Sequence, residues 1–139
     1  MVIKMKISRK LELAGLAVVI ILGAAILYSH IPQQTNIQTV EANIVYNYKD
    51  KKINEDLSNE EALTVYNIFN RKTLYAGNPA CGFTDNISIR FRDMIFCPAD
   101  DGCAIVKLQN KNKYFNISKD DKQQIAAIFW RHGGTLPIG

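Results

Sequence analysis

The first 28 residues contain one long apolar stretch, with polar residues only in front of it. Every residue from Leu13 to Tyr28 is apolar or small, a run of 16 residues. A helix made of these residues is apolar on all sides, and its length lies near the lower limit of the roughly 17–25 residues that cross a bilayer. The pattern predicts that residues 1–28 form a basic cytoplasmic stub and a transmembrane signal-anchor helix in contact with membrane lipid.

The flanks of this helix bear on its orientation and on whether it is retained. The basic residues that precede it favour a cytoplasmic N-terminus and an external C-terminal part; they are Lys4, Lys6, Arg9 and Lys10. A cleavable signal normally ends in a small-x-small site, and the nearest match, at 23–25, would leave Ile-Leu-Tyr as a new N-terminus. We therefore expect a retained single-pass anchor, with secretion after cleavage as the alternative.

Residues 29–40 are mostly polar and show no hydrophobic period, which predicts a linker. Residues 41–139 follow, and a segment of about 100 residues is the usual size of one packed domain. We expect a single extracytoplasmic domain in this part of the chain.

Two helices are predicted in this domain, each starting at a serine with an acidic residue three positions later. The pairs are Ser58 with Glu61 and Ser118 with Asp121, the pattern of a capping box. Apolar residues follow at helical spacing in both segments: Ala62, Val65, Tyr66 and Phe69 in the first, and Ile125, Ile128 and Phe129 in the second.

Between and before these helices, short alternating segments predict β-strands. Ile87, Ile89 and Phe91 alternate with polar residues, as in a half-buried strand. Shifting the chain by 60 residues superimposes the two helices and also places Val45 on Ile105, which suggests a strand-strand-helix (ββα) pseudo-repeat. The predicted fold class is α+β, with an antiparallel sheet that carries both helices on one face.

The charge distribution argues against nucleic-acid binding. The net charge is +4, but four of the 17 basic residues and one of the 13 acidic residues precede residue 28. The rest of the chain therefore has 13 basic and 12 acidic residues, which is nearly balanced. A polyanion-binding domain normally carries a clear basic excess.

Export would place the three cysteines in an oxidising compartment, where one disulfide and one leftover thiol are expected. Cys97 and Cys103 flank a five-residue loop between two apolar runs, so we favour a bridge between them. Cys81 is then the candidate free thiol, and a bridge from Cys81 to either of the others is the alternative. Asp100 and Asp101 lie in that loop and are typical turn-forming residues.

The sequence contains no recognisable catalytic, phosphate-binding or paired metal-ligand motif. We therefore predict no catalytic residue, no metal site and no cofactor. A thiol enzyme would need a nearby histidine, and Cys81 with His132 is the available combination. His132 lies in the last turn of the second helix, where histidine commonly bonds terminal carbonyls.

Two aromatic residues near the C-terminus indicate a binding surface. Trp130 follows the buried Phe129 and should point partly outward, and Tyr114 lies on the strand before the same helix. Tryptophan and tyrosine frequently anchor protein contacts. Alternatively, Trp130 packs on the C-terminal tail.

The function we predict is a membrane-anchored, extracytoplasmic protein-interaction or inhibitory module without chemistry of its own. Its partner would be an unidentified envelope protein. One alternative is a small envelope enzyme or redox protein that uses an unpaired cysteine. Another is a structural subunit of a membrane complex.

Overall fold

A computed structural model of the chain describes residues 2–138, with side chains from residue 8 onward. These residues form two compact units, one ending at Pro32 and the other beginning at Gln33. The part that ends at Pro32 consists mainly of helix α1, Val2–Ser29. Within α1, Ser8–Ser29 is long and apolar enough to cross a membrane, a property that a signal sequence shares.

The part that begins at Gln33 is an α+β domain, as predicted. Its elements in chain order are β1 (Asn43–Tyr48), β2 (Lys51–Asp56), α2 (Asn59–Phe69), β3 (Ile87–Phe91), β4 (Met94–Pro98), β5 (Ile105–Leu108), a 3-10 turn (Gln109–Lys111), β6 (Lys113–Asn116) and α3 (Lys119–Arg131). The six strands form one antiparallel sheet in the order β2-β1-β3-β4-β5-β6. The hydrophobic alternation along β3 therefore indicated a real central strand.

Both helices cover the same face of this sheet. Ile44, Ile89, Phe96 and Leu108 lie opposite one another on four neighbouring strands, so their side chains share one face. The buried apolar residues of α2 and α3 belong to the same hydrophobic cluster as this row. The core therefore lies between the sheet and the helix pair, and we call the opposite side of the sheet its second face.

The two helix starts differ in one respect from the prediction. In α2 the capping box is complete, because Ser58 Oγ accepts the N–H of Glu61 and the Glu61 carboxylate accepts the N–H of Ser58. In α3 only the first half is present: Ser118 Oγ accepts the N–H of Asp121. An aspartate side chain is one methylene shorter than glutamate, so it does not reach back to the cap.

The two ββα units lie at opposite edges of the sheet. We call β1–β2–α2 the first unit and β5–β6–α3 the second. The helices correspond with a shift of 60, but Asn43 pairs with Asp56 and Ile105 pairs with Asn116, so the first strands correspond with a shift of 62. Placing Val45 on Ile105 was therefore wrong by two residues. The cause is the length of the hairpin as a whole, which spans 43–56 in the first unit and only 105–116 in the second, two residues fewer.

The second half of the segment predicted as a linker, 29–40, is attached to the domain through two buried residues, Thr35 and Ile37, while most of its other residues are exposed. The Thr35 hydroxyl donates to the carbonyl of Phe69 at 2.6 Å and accepts the N–H of Lys72 at 2.8 Å. Ile37 is buried, and its N–H donates to the side chain of Asn70. These bonds satisfy groups at the C-terminal end of α2, so a polar segment without a period still has a defined structure.

Candidate functional site

Of the two aromatic residues predicted to bind a partner, Trp130 is on the surface. Its exposure is 73%, the highest of the large apolar side chains in the domain. Its neighbours Ile128 and Phe129 face the core, because a step of one or two residues rotates a side chain off the buried stripe of a helix. The tail does not cover Trp130; instead, Leu136 of the tail is buried.

Tyr114 lies inside the domain, so the prediction that it contacts a partner is wrong. It is 5% exposed, and its ring centroid lies 5.3 Å from that of Phe83 and 6.0 Å from that of Tyr75. Tyr75 also pairs with it through two backbone hydrogen bonds. Tyr114 points to the second face, and the segment that covers it is about 30 residues away in sequence.

The disulfide joins Cys81 to Cys103 and leaves Cys97 as a buried thiol, which corrects the favoured pairing of Cys97 with Cys103 and the assignment of Cys81 as the free thiol. The register of the hairpin explains the difference. Cys97 lies opposite Lys107 in the ladder, whereas Cys103 lies in the loop between β4 and β5, before β5 begins. Cys81 approaches that loop from a segment that is distant in sequence, with a Cα–Cα distance of 6.4 Å.

Hydrogen bonds reinforce this disulfide on both sides. The N–H of Asp100 donates to the carbonyl of Gly82 at 2.9 Å, and the Asp101 carboxylate accepts the N–H groups of Gly82 and Cys103 at 3.0 and 3.3 Å. A Cβ on Gly82 would meet the carboxylate of Asp100, so a larger residue at position 82 would displace that side chain. We call the set Cys81, Gly82, Asp100, Asp101 and Cys103 the clasp.

Lys122 donates a hydrogen bond to the residue that precedes Asp100 of the clasp. The sequence analysis did not identify this lysine. Its side chain is 2% exposed, and Nζ donates to the carbonyl of Ala99 at 2.5 Å. Burial lowers its pKa to about 8, although the carboxylates of Asp101 and Asp100 oppose that shift. The sequence did contain a signal for a buried lysine. Lys122 falls on the apolar side of α3, at the position that Ala62 occupies in α2.

The clasp does not form a free metal site. The sulfurs of Cys81 and Cys103 and a carboxylate oxygen of Asp101 lie within 4.8 Å of one another. The two sulfurs are bonded to each other, and both oxygens of Asp101 accept backbone hydrogen bonds. Zinc binds cysteine as the thiolate, which the bridged sulfurs do not provide.

Cys97 lacks the properties of a catalytic thiol. It is fully buried on the second face, and burial raises its pKa to about 11. Asp85 adds to that shift, while the positive charges of Lys107 and Arg90 act against it. The protonated thiol is a poor nucleophile at neutral pH.

A second cluster of ionisable side chains joins α3 to α2 and β2. His132 Nδ1 lies 2.7 Å from Glu55, its Nε2 lies 2.9 Å from Glu61, and Arg131 Nε donates to Glu61 at 3.0 Å. Sequence analysis assigned His132 to terminal carbonyls; its ring instead faces two carboxylates from other elements. Cys81 is not among the contacts of His132, so the combination considered for a thiol enzyme is not assembled.

A large open groove lies at the end of the sheet beside the clasp, with a volume of about 790 Å³. Its walls come from three places: the β1–β2 turn, the segment after the disulfide, and the C-terminal tail. The lining residues include Tyr48 and Lys49 from the turn, Thr84 and Asn86 from the segment after Cys81, Asp100 from the clasp, and Thr135 from the tail. Lysine and aspartate side chains both line it, so the groove has no dominant charge.

The chain matches no protein-family model, no curated protein and no solved structure. The class that the fold itself defines is an α+β domain preceded by an apolar N-terminal helix. The disulfide within the domain indicates an oxidising, extracytoplasmic compartment.

Proposed function

We propose that this protein is a single-pass membrane protein with a cytoplasmic N-terminus. Its external domain recognises another envelope protein and has no chemistry of its own. The observation that carries the proposal is Trp130, exposed to 73% on a helix whose other side is packed. Tryptophan is enriched among the residues that dominate protein–protein binding energy.

The anchor and its orientation are supported by α1 and its flanks. Ser8–Ser29 meets the length and composition of a membrane span. The basic residues before the apolar run favour a cytoplasmic N-terminus, because Lys and Arg are retained on that side. The disulfide is consistent with an external domain, since cytosolic thiols are kept reduced.

Reporter fusions test the orientation. An alkaline phosphatase fused after residue 139 should be active, because this enzyme folds only outside the cytoplasm, and a green fluorescent protein at the same site should be dark. An N-terminal tag that stays with the membrane fraction after carbonate extraction supports a retained anchor. Loss of that tag from the mature protein would contradict retention, and a fluorescent C-terminal fusion would contradict the orientation.

Site-specific photocrosslinking tests the recognition surface. A photoreactive amino acid at position 130 should give a discrete, stoichiometric adduct in intact cells. The matched control is position 124, where Gln124 is also exposed but points to a different side of α3. In protein without the photoreactive amino acid, Trp130→Ala should abolish co-purification of the partner identified by crosslinking, whereas Gln124→Ala should retain it. Equal crosslinking at both positions, or a partner kept by Trp130→Ala, would contradict the proposal.

A further inference from the structure

The clasp is not needed to build a ββα unit, and the first unit shows this. The N–H of Leu57 donates to Ala42 at 2.9 Å, and the N–H of Ile117 makes the corresponding bond to Ala104 at 3.0 Å. With these bonds aligned, Glu41 and Ala62 of the first unit occupy the positions of Cys103 and Lys122 in the second. The first unit therefore packs its helix and strands without a disulfide or a buried lysine.

What the clasp does hold is the segment that crosses the second face. Two residues after Cys81, the ring of Phe83 packs 5.3 Å from the ring of Tyr114. The carbonyl of Asp85 then accepts hydrogen bonds from Ser88 Oγ at 2.9 Å and from Arg90 Nη2 at 3.3 Å. We call residues 82–86 the cover segment.

Cys97 lies on the face of the sheet that this segment crosses. It pairs with Lys107, whose other neighbour across the strands is Tyr114. The residue before Cys97, Phe96, pairs with Ile89, which follows Ser88 in the chain. The negative charge of Asp85 also raises the pKa of the Cys97 thiol. α2 and α3 cover the other face of the sheet, so the cover segment, which contacts Tyr114 and Ser88 on this face, is placed to shield Cys97, which is 0% exposed.

The cover segment also forms one wall of the large groove. Thr84 and Asn86 line the groove from this segment, and Asp100 lines it from the clasp. A change in the position of the segment would therefore alter the groove and uncover the thiol at the same time.

We propose that the Cys81–Cys103 disulfide is a redox latch, which holds the cover segment closed when oxidised and releases it when reduced. The reductant is a dithiol. Two electrons pass from it to the bridge, the S–S bond breaks, Cys81 and Cys103 each take up a hydrogen, and the two reductant thiols form a disulfide. Release exposes Cys97 and opens the groove wall, while the six strands and both helices stay in place.

The test is alkylation of Cys97 in the full-length protein in detergent micelles. N-ethylmaleimide labelling of the Cys97 peptide is followed by mass spectrometry in the oxidised protein, in the protein treated with a dithiol, and in Cys81→Ser/Cys103→Ser. Hydrogen exchange at Ile44 and Phe129 is followed in the same samples, because both residues are buried in the core.

We expect labelling of Cys97 to be about ten-fold faster in the reduced protein and in the double variant, because a locally opened segment raises access without unfolding the domain. Core exchange should be unchanged. Equal labelling rates would overturn the latch, since the segment would then stay closed without the bridge. Faster core exchange in step with labelling would also overturn it, because the bridge would then support the whole domain.

Discussion

His132 Nε2 lies 2.9 Å from the Oε2 of Glu61, a residue 71 positions earlier in the chain. Burial alone would lower the pKa of His132, but the hydrogen bonds to Glu55 and Glu61 outweigh it and raise the pKa above 6.5. Burial alone would raise the pKa of Glu61, but the bonds from His132 and Arg131 outweigh it and lower the pKa to about 2. This contact therefore links the C-terminal end of α3 to the start of α2 through charge.

The first prediction is that the Glu61–His132 contact contributes most to stability in mildly acidic solution. The contribution of Glu61 is complete above its unfolded pKa of 4.5 and is lost as the pH falls towards 2. The contribution of His132 is complete below its unfolded pKa of 6.5 and is lost as the pH rises through the higher folded value. Both contributions are therefore complete between pH 4.5 and pH 6.5.

Urea denaturation from pH 4 to pH 9 measures this dependence. We expect His132→Gln to lower the free energy of unfolding by about 1.5–3 kcal/mol in the acidic window, the range for hydrogen bonds to charged groups. The difference from wild type should shrink as the pH rises above the folded pKa of His132. Two parallel stability curves would show that this histidine does not contribute through its charge.

The second prediction concerns Lys122, whose folded pKa is lowered to about 8 from 10.5. In this range the unfolded chain binds more protons than the folded one, so stability should increase as the pH rises from 8 towards 10.5. Lys122→Met should remove this slope and keep the buried aliphatic volume. The matched control is Lys119→Met, because Lys119 is exposed on the same helix. An unchanged slope in Lys122→Met would assign the pH dependence to other groups.

The third prediction separates the two aromatic residues by burial. Tyr114→Ala should lower the free energy of unfolding by about 3–5 kcal/mol, because it removes a large buried ring from contact with Tyr75 and Phe83. Trp130→Ala should change it by less than about 0.5 kcal/mol, as expected for an exposed side chain. Chemical denaturation measures both. A large loss in Trp130→Ala would mean that the indole supports the domain rather than a partner.

The fourth prediction uses the incomplete capping box of α3. Asp121→Glu adds the methylene that lets the carboxylate reach the N–H of Ser118, so we expect a gain of about 0.5 kcal/mol in the free energy of unfolding. The control is Asp120→Glu, which makes the same chemical change at an exposed neighbouring position. Equal effects of the two substitutions on the melting temperature would rule out completion of the box.

Several features of the fold could be predicted because they depend on residues close together in sequence. Ser58 and Ser118 cap helices through groups three residues away, and the alternation along β3 follows from the two-residue period of a strand. The α+β class followed from these local patterns. The disulfide could not be chosen in this way, because its partner depends on where a loop 22 residues away crosses the sheet.

The sequence by itself determined the apolar N-terminal helix, the two capped helices and the alternating strands, since each depends on the chemistry of neighbouring residues. Only the tertiary structure decided that Tyr114 is covered, that Cys81 rather than Cys97 is bridged, and that Lys122 and His132 meet partners on other elements. The physical reason is that burial and hydrogen bonding depend on contacts between distant segments. Those contacts arise only when the strands pair in a particular order and the connecting segments cross a particular face.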